Sequence, residues 1–304
     1  MRIWGLALAF SAGLAASVAA APLEFSTVKG YGDVPLVVVQ AGNRQGPAIL
    51  FIHGYSQSYL SWEKQLNDPA LQKDFHLIAF DLRGHGASGK PSDPKDYGSE
   101  AWGGDVNAVI KATGDRKPVL VPWSYGGPVT MSYVRHFGVA GISGINFVAA
   151  GTSLGGRGPA PDMNDPELKV RMSRFMAMTS SDIMANLEAT KWFVGSLSAK
   201  PLPPAETENI LIYNMLTPGY VRAAMFTFQP DNKDLQGKIT VPVLITHGDK
   251  DGVVPYQTSI DNKALIKGST MSTFDGVGHA PFLEAPQRFN TELAAFVMKA
   301  SKKK

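Results

Sequence analysis

The chain has 304 residues, 44% hydrophobic and 18% charged, an ordinary globular balance with ample material for one large core. A formal net charge of +3 is too small to argue for nucleic acid, and the closing Lys302-Lys303-Lys304 reads as a solvated end rather than a binding patch. There is no cysteine, which excludes disulfides, thiolate metal sites and a cysteine nucleophile.

Residues 1–20 have the pattern of a secretory signal peptide. Arg2 gives a positive start, Ile3 to Ala16 is apolar, and Val18-Ala19-Ala20 is a small-residue cleavage signal with processing expected just after Ala20. The stretch is too short and too weakly apolar for a convincing membrane span, and without cysteine it cannot carry a lipoprotein attachment. The expectation is a periplasmic or secreted bacterial protein with no stable membrane anchor after cleavage, stabilised by packing alone.

After the leader, short apolar runs alternate with helix-compatible segments. Leu36–Val39, Ala48–Ile52, Phe75–Phe80, Val119–Val121, Ile142–Ala149, Val241–Thr246 and Ser269–Phe274 read as strands. Ser58–Leu66, Ser99–Ala112, Pro128–Phe137, Gln257–Ile266 and Pro281–Lys299 read as helices. This alternation predicts an α/β protein with a mostly parallel sheet covered on both faces. It breaks between Gly151 and Asp234, where Pro166–Thr179, Ser181–Gly195, Pro204–Leu216 and Thr217–Phe228 have helical spacing. The predicted organisation is a core of 21–150 and 233–304 with a helical cap, 151–232, inserted after the sixth core strand. The cap is rich in Met and aromatic residues, among them Phe175, Trp192, Phe193, Met225, Phe226 and Phe228. Most should form its own core and its seam with the main domain. A few, with Trp192, Phe193 and Met225 as candidates beside Trp123, should face the cleft and bind an apolar group.

The chemistry centres on Val119-Leu120-Val121-Pro122-Trp123-Ser124-Tyr125-Gly126-Gly127. A serine on a sharp strand-to-helix turn has its hydroxyl pushed out of the sheet into a cleft, as a nucleophile requires. That hydroxyl needs a base, for which His279 in Gly276-Val277-Gly278-His279-Ala280-Pro281 is the candidate. The base needs a carboxylate to fix its tautomer and balance the imidazolium, and Asp249 and Asp251 both follow the strand-like Val243–Thr246. Backbone N–H groups at Tyr125 and in the His53-Gly54-Tyr55 turn are candidate oxyanion donors. His53, His85 and His247 read as structural, and His76 and His136 carry no signal. No histidine pair has the spacing of a known metal-ligand motif, and no phosphate-cradling or dinucleotide loop is present, so neither a metal nor a cofactor is expected.

In these segments the chain resembles the α/β-hydrolase family, specifically its capped branch of esterases, cofactor-free haloperoxidases and C–C hydrolases. The matching stretches are His53-Gly54-Tyr55, Asp81-Leu82-Arg83-Gly84-His85-Gly86-Ala87-Ser88, Trp123-Ser124-Tyr125-Gly126-Gly127, His247 to Pro255, and Gly278-His279-Ala280-Pro281-Phe282-Leu283-Glu284-Ala285-Pro286. The family's order of Ser, Asp and His is kept. One departure is that Pro122 stands where the motif G-x-S-x-G has its first glycine. The resemblance favours Asp251 over Asp249 as the acid, since Gly248-x-x-Asp251 is followed four residues later by Pro255; Asp249 would cap the turn. It implies a Ser124–Asp251–His279 triad, with oxyanion donors at Tyr55 and Tyr125, that cleaves carboxylic esters of small or medium apolar substrates. Perhydrolysis, lactone or amide hydrolysis and C–C cleavage are the alternatives on the same triad, and a non-catalytic binding protein is the alternative of another class. An aspartate at 124 would have implied an epoxide hydrolase or dehalogenase.

Overall fold

A strand that is apolar on both sides needs cover on both sides, and the helices between the strands supply it. The computed structural model describes residues 20–114, 116–156, 162 and 164–302. The expected leader, apart from Ala20, lies outside the described residues, as do residues 157–161 and 163 of the expected cap and Lys303 and Lys304 of the closing lysines. Eight strands form one sheet: β1 (Glu24–Lys29), β2 (Pro35–Gly42), β3 (Ala48–Ile52), β4 (His76–Phe80), β5 (Val119–Pro122), β6 (Gly144–Val148), β7 (Val243–Gly248) and β8 (Thr270–Phe274). Their spatial order is β1-β2-β4-β3-β5-β6-β7-β8. β1 and β2 are antiparallel to their neighbours, and the rest of the sheet is parallel. β3 to β7 are buried along their whole length, as their largely apolar sequences require.

The core helices are α1 (Glu63–Leu66), α2 (Pro69–Asp74), α3 (Ser99–Ala112) and α4 (Gly126–Phe137), then α9 (Gln257–Leu265), α10 (Pro281–Glu284) and α11 (Pro286–Ser301). Between β6 and β7 lie α5 (Pro166–Ala177), α6 (Ile183–Gly195), α7 (Pro204–Met215) and α8 (Gly219–Thr227). α3 packs on α4, while α11 packs on β5 and β6 together with α1 and α10. Asp165 and Asp182 cap α5 and α6 by accepting from the first free backbone N–H groups. The buried Arg222 of α8 ties the insertion together. It donates to the carbonyl of Met178 (3.1 Å), to Asn186 Oδ1 (2.7 Å), to Thr190 Oγ1 (2.9 Å) and to the carbonyl of Asn214 (2.6 Å).

Several expectations change. The single helix expected over 58–66 is a 3-10 turn, Tyr59–Trp62, followed by α1. The long helix expected over 281–299 is broken at Ala285 (φ −135°, ψ 58°). The ring of Pro286 excludes the preceding residue from helical geometry, so the chain must restart as α11. β1 and α2 were not expected. With β1 counted, the helical insertion follows the sixth strand.

Candidate active site

The parallel strands bring their C-terminal ends to one rim, and the chemistry-bearing side chains gather there. Ser124 sits between β5 and α4 with φ of 54°, a conformation that costs a non-glycine residue about 1–3 kcal/mol. The turn is over-determined: the Ser124 N–H donates to the Val148 carbonyl (3.0 Å), Gly126 N–H to Trp123 (2.7 Å) and Gly127 N–H to Ser124 (2.9 Å). The glycines are required by crowding. A Cβ on Gly126 would lie 2.6 Å from the Ile52 carbonyl oxygen, and one on Gly127 would lie 2.3 Å from that of Gly151.

Pro122 is the last residue of β5, just before this turn. The β5–β6 ladder pairs Leu120 with Ile145, lapses over the next two residues, and resumes as a single bridge between Trp123 and Val148 in the same register. Proline supplies no N–H to continue the ladder, so the gap falls where the donor is missing.

Asp251, on the loop after β7, accepts from His279 Nδ1 at 2.7 Å through Oδ2. Its other oxygen accepts from the N–H groups of Val253 (2.7 Å) and Val254 (2.9 Å). Burial pushes this carboxyl upward, but the charges and hydrogen bonds of His279 and His247 outweigh it and hold Asp251 well below the usual carboxylate range. With Nδ1 donating to the carboxylate, His279 Nε2 carries a bare lone pair, buried and without a hydrogen-bond partner among the described residues. The His279 loop is pinned by Glu284, which accepts from Gly278 N–H (2.7 Å) and Ala199 N–H (2.9 Å). Asp249 stands apart: it accepts from Gly276 N–H (2.6 Å) and pairs with Lys250, as a turn residue does.

The backbone N–H groups of Tyr55 and Tyr125 donate to no acceptor among the described residues. The Tyr55 loop is held from behind by His53. Its Nδ1–H donates to the Gly54 carbonyl (2.9 Å), and its Nε2 accepts from Leu82 N–H (3.0 Å). His85 likewise braces its own loop through the Arg83 carbonyl (2.9 Å).

Ser124 opens into a cavity of about 300 Å³. Its walls are mostly apolar, with Tyr55, Phe175, Phe193, Phe226, Phe228, Met225, Pro128, Val253 and Val254, and with Ser153 and Gln229 as polar lining residues beside Ser124. Phe193 and Met225 line this cavity, and two other candidates do not. Trp123 is buried away from this cavity; its Nε1–H donates to the His279 carbonyl (2.9 Å), and its ring packs on Phe282 and on the imidazole. Trp192 lies one layer back, edge-on to Phe175 and under Arg174, and lines a different surface recess. α6 turns Phe193 inward, and the adjacent position on a helix points about 100° away. Phe175, Phe226 and Phe228 were visible in the sequence only as cap aromatics; their helical spacing gave no sign of which faced the cleft.

One further residue takes a place that its sequence position did not reveal. His247, at the end of β7, bonds to Asp251 Oδ2 through Nε2 (2.7 Å) and to Ser259 Oγ through Nδ1 (2.6 Å). Among the described residues no group of three or more His, Asp and Glu is placed to hold a metal ion, and no helix is long and apolar enough to cross a membrane.

Residues 47–286 match the α/β-hydrolase fold family, and the chain belongs to it. In structure it is similar to a proposed aryl esterase from Burkholderia cenocepacia, with TM-score 0.82 and 35% identity over 91% of this chain and 99% of that one. It is also similar to an esterase from Rhodococcus sp. ECU1013, with TM-score 0.79 and 30% identity over 91% and 99% of the two chains. In sequence it is 27% identical over 265 residues to a bifunctional esterase/perhydrolase of Acinetobacter calcoaceticus, covering 84% of this chain and 93% of that protein. The family and these neighbours support hydrolase activity.

Proposed function

We propose that the protein is a serine carboxylesterase acting on small or medium apolar esters through Ser124, His279 and Asp251. The observation that carries this reading is the strained Ser124, placed at an apolar cavity whose neighbouring loop presents Asp251-bound His279. Ser124 Oγ attacks the ester carbonyl carbon while His279 Nε2 takes its proton. The two otherwise unused N–H groups of Tyr55 and Tyr125 receive the oxyanion, a contribution of roughly 10²–10³ in turnover for each donor. His279 then protonates the leaving alcohol, and water releases the acid by the same steps in reverse. The aromatic walls accept the apolar part of the ester, and the helical insertion serves as the cap that selects it.

Fluorophosphonate labelling of Ser124, followed by a panel of p-nitrophenyl esters, lactones and aminoacyl anilides, tests this. An unlabelled serine would point to a binding protein instead. A preference for anilides or lactones would move the assignment to amide or lactone hydrolysis. The likeness to the Acinetobacter esterase/perhydrolase favours a second reaction on the same acyl-enzyme, with hydrogen peroxide replacing water as acceptor. Export to the periplasm or medium, with cleavage after Ala20, completes the proposal, and N-terminal sequencing of the protein from the periplasmic fraction tests it.

A further inference from the structure

Asp251 Oδ2 is shared. His279 Nδ1 and His247 Nε2 each lie 2.7 Å from it, so two imidazoles donate to one carboxylate oxygen. The His247 tautomer follows from its partners. Nε2 also lies 3.2 Å from the Val254 carbonyl, and a carboxylate and a carbonyl can only accept, so Nε2 bears the proton. In the neutral ring Nδ1 then accepts from the Ser259 hydroxyl at 2.6 Å. His247, Asp251 and His279 have fully buried side chains, and Ser259 is buried, so water does not screen the arrangement. Bracing Asp251 does not by itself require this second imidazole, because Oδ1 is already fixed by two backbone N–H groups.

We propose that His247 is a positioning residue that moderates the grip of Asp251 on His279. This rests on the reading of Ser124, His279 and Asp251 as a triad. A carboxylate oxygen that already accepts one N–H offers less charge to a second. The imidazolium formed on His279 in each transition state is therefore held less tightly than by an unshared aspartate. It releases its proton to the leaving alcohol more readily. Asp251 and the Val254 carbonyl fix the His247 tautomer, and Ser259 holds the other ring nitrogen in place.

Among the described residues, few other ionisable groups face the pair. Tyr256 packs its ring 5.6 Å from His247. Glu284 of α10 is spent on the Gly278 and Ala199 N–H groups, the Asp249–Lys250 pair lies on the outer side of the loop, and Arg171 of α5 reaches the Val253 carbonyl. Asp251 alone among them hydrogen-bonds to either imidazole.

The test compares His247→Phe, which keeps a ring and loses the donor, with His247→Gln, which retains an N–H donor. The double variant His247→Phe/Ser259→Ala avoids leaving the serine hydroxyl unpartnered. In the Phe variants the acid limb of kcat/KM against pH should move upward, lowering the ratio of pH 6 to pH 8 activity by about threefold, with KM little changed. His247→Gln should restore the wild-type limb. A uniform fall at every pH, or a limb displaced downward, would mean that His247 only props the loop. The second readout needs no substrate. Wild-type protein should show two low-field imidazole N–H resonances at Asp251; in His247→Phe one disappears and the other moves further downfield. A remaining resonance that stays in place overturns the proposal, whereas a wild type inactive on every ester overturns the esterase reading and leaves this pairing intact.

Discussion

Trp123 Nε1–H donates to the backbone carbonyl of His279 at 2.9 Å, a bond that spans 156 positions of sequence. The residue before Ser124 thus tethers the loop that carries the His279 imidazole. The Trp123 ring, 5.3 Å from that imidazole and packed on Phe282, fills the space between the serine turn and the histidine loop. Trp123→Phe keeps most of the ring and removes the donor, leaving a buried carbonyl unpaired. The expected loss is about 1–3 kcal/mol of stability, read from urea unfolding, with kcat reduced and KM unchanged. Unchanged kcat would show that the histidine loop is positioned without Trp123.

Replacing the serine separates strain from chemistry. Ser124→Ala should abolish ester hydrolysis and keep the strained φ of 54°, because alanine has the same Cβ. Ser124→Gly should also be inactive yet unfold at higher temperature than the alanine variant, since glycine adopts that φ freely; a gap of about 1 kcal/mol, or roughly 2 °C, is expected. Equal melting temperatures would mean that the turn is relaxed.

The two aspartates should part company. Asp251→Asn still bonds to His279 but favours the wrong tautomer and no longer balances the imidazolium, so kcat should fall roughly 10³–10⁴-fold. Asp249→Asn retains an acceptor for the Gly276 N–H and should stay within about threefold of wild type, since its pair with Lys250 is largely solvated. The reverse ranking, from initial rates on one p-nitrophenyl ester, would move the acid to Asp249.

Cavity geometry orders the cap substitutions. Phe193→Ala and Met225→Ala open space against the acyl group and should shift the preferred chain length in a p-nitrophenyl ester series upward. Each methylene accommodated should contribute about 1–3 kcal/mol of discrimination. Trp192→Ala should leave the profile in place, because Trp192 lies behind Phe175. A profile that moves only in Trp192→Ala would put the substrate in the other recess.

His53 predicts acid sensitivity. Burial lowers its pKa from 6.5 to about 4, against the opposing effects of Asp81 and the Gly54 hydrogen bond. Protonation would also break the bond in which Nε2 accepts from Leu82 N–H. The unfolded chain takes up this proton near 6.5 and the folded protein only near 4, so the contribution is complete above 6.5 and is lost as pH falls between those values. The loss from this residue amounts to about 3 kcal/mol. His53→Gln should be less stable than wild type at pH 7.5 but lose less on going to pH 4.5, as measured by urea midpoints.

How far the sequence could be read depended on whether the signal was local. β3 and α3 appear within the bounds their patterns predicted, because an unbroken apolar run and a helical periodicity need no tertiary knowledge. β1 was missed because Glu24–Lys29 is an edge strand, five of whose six residues are exposed, so it carries no core pattern. α2 had a readable signal in Asp68-Pro69, a side-chain cap followed by proline in the first turn. Trp192 and Phe193 are equally apolar neighbours, and only the docking of α6 decides which one meets the cavity. His247 reads as a strand end, since the loop that returns Asp251 to it is set by the Val253 and Val254 amides rather than by any spacing rule.

The helical insertion also divides the site in time. Ser124 precedes the four helices between β6 and β7, while Asp251 and His279 follow them. A ribosome that has just finished α8 has made the serine turn but neither the proposed base nor the proposed acid. On that reading, β7 must still pair with β6, β8 with β7, and α11 pack on β5 and β6 before acyl transfer is possible. On the proposed triad, a nascent chain should therefore be chemically silent until its last quarter is in place. During refolding, the return of fluorophosphonate reactivity should trail the recovery of secondary structure.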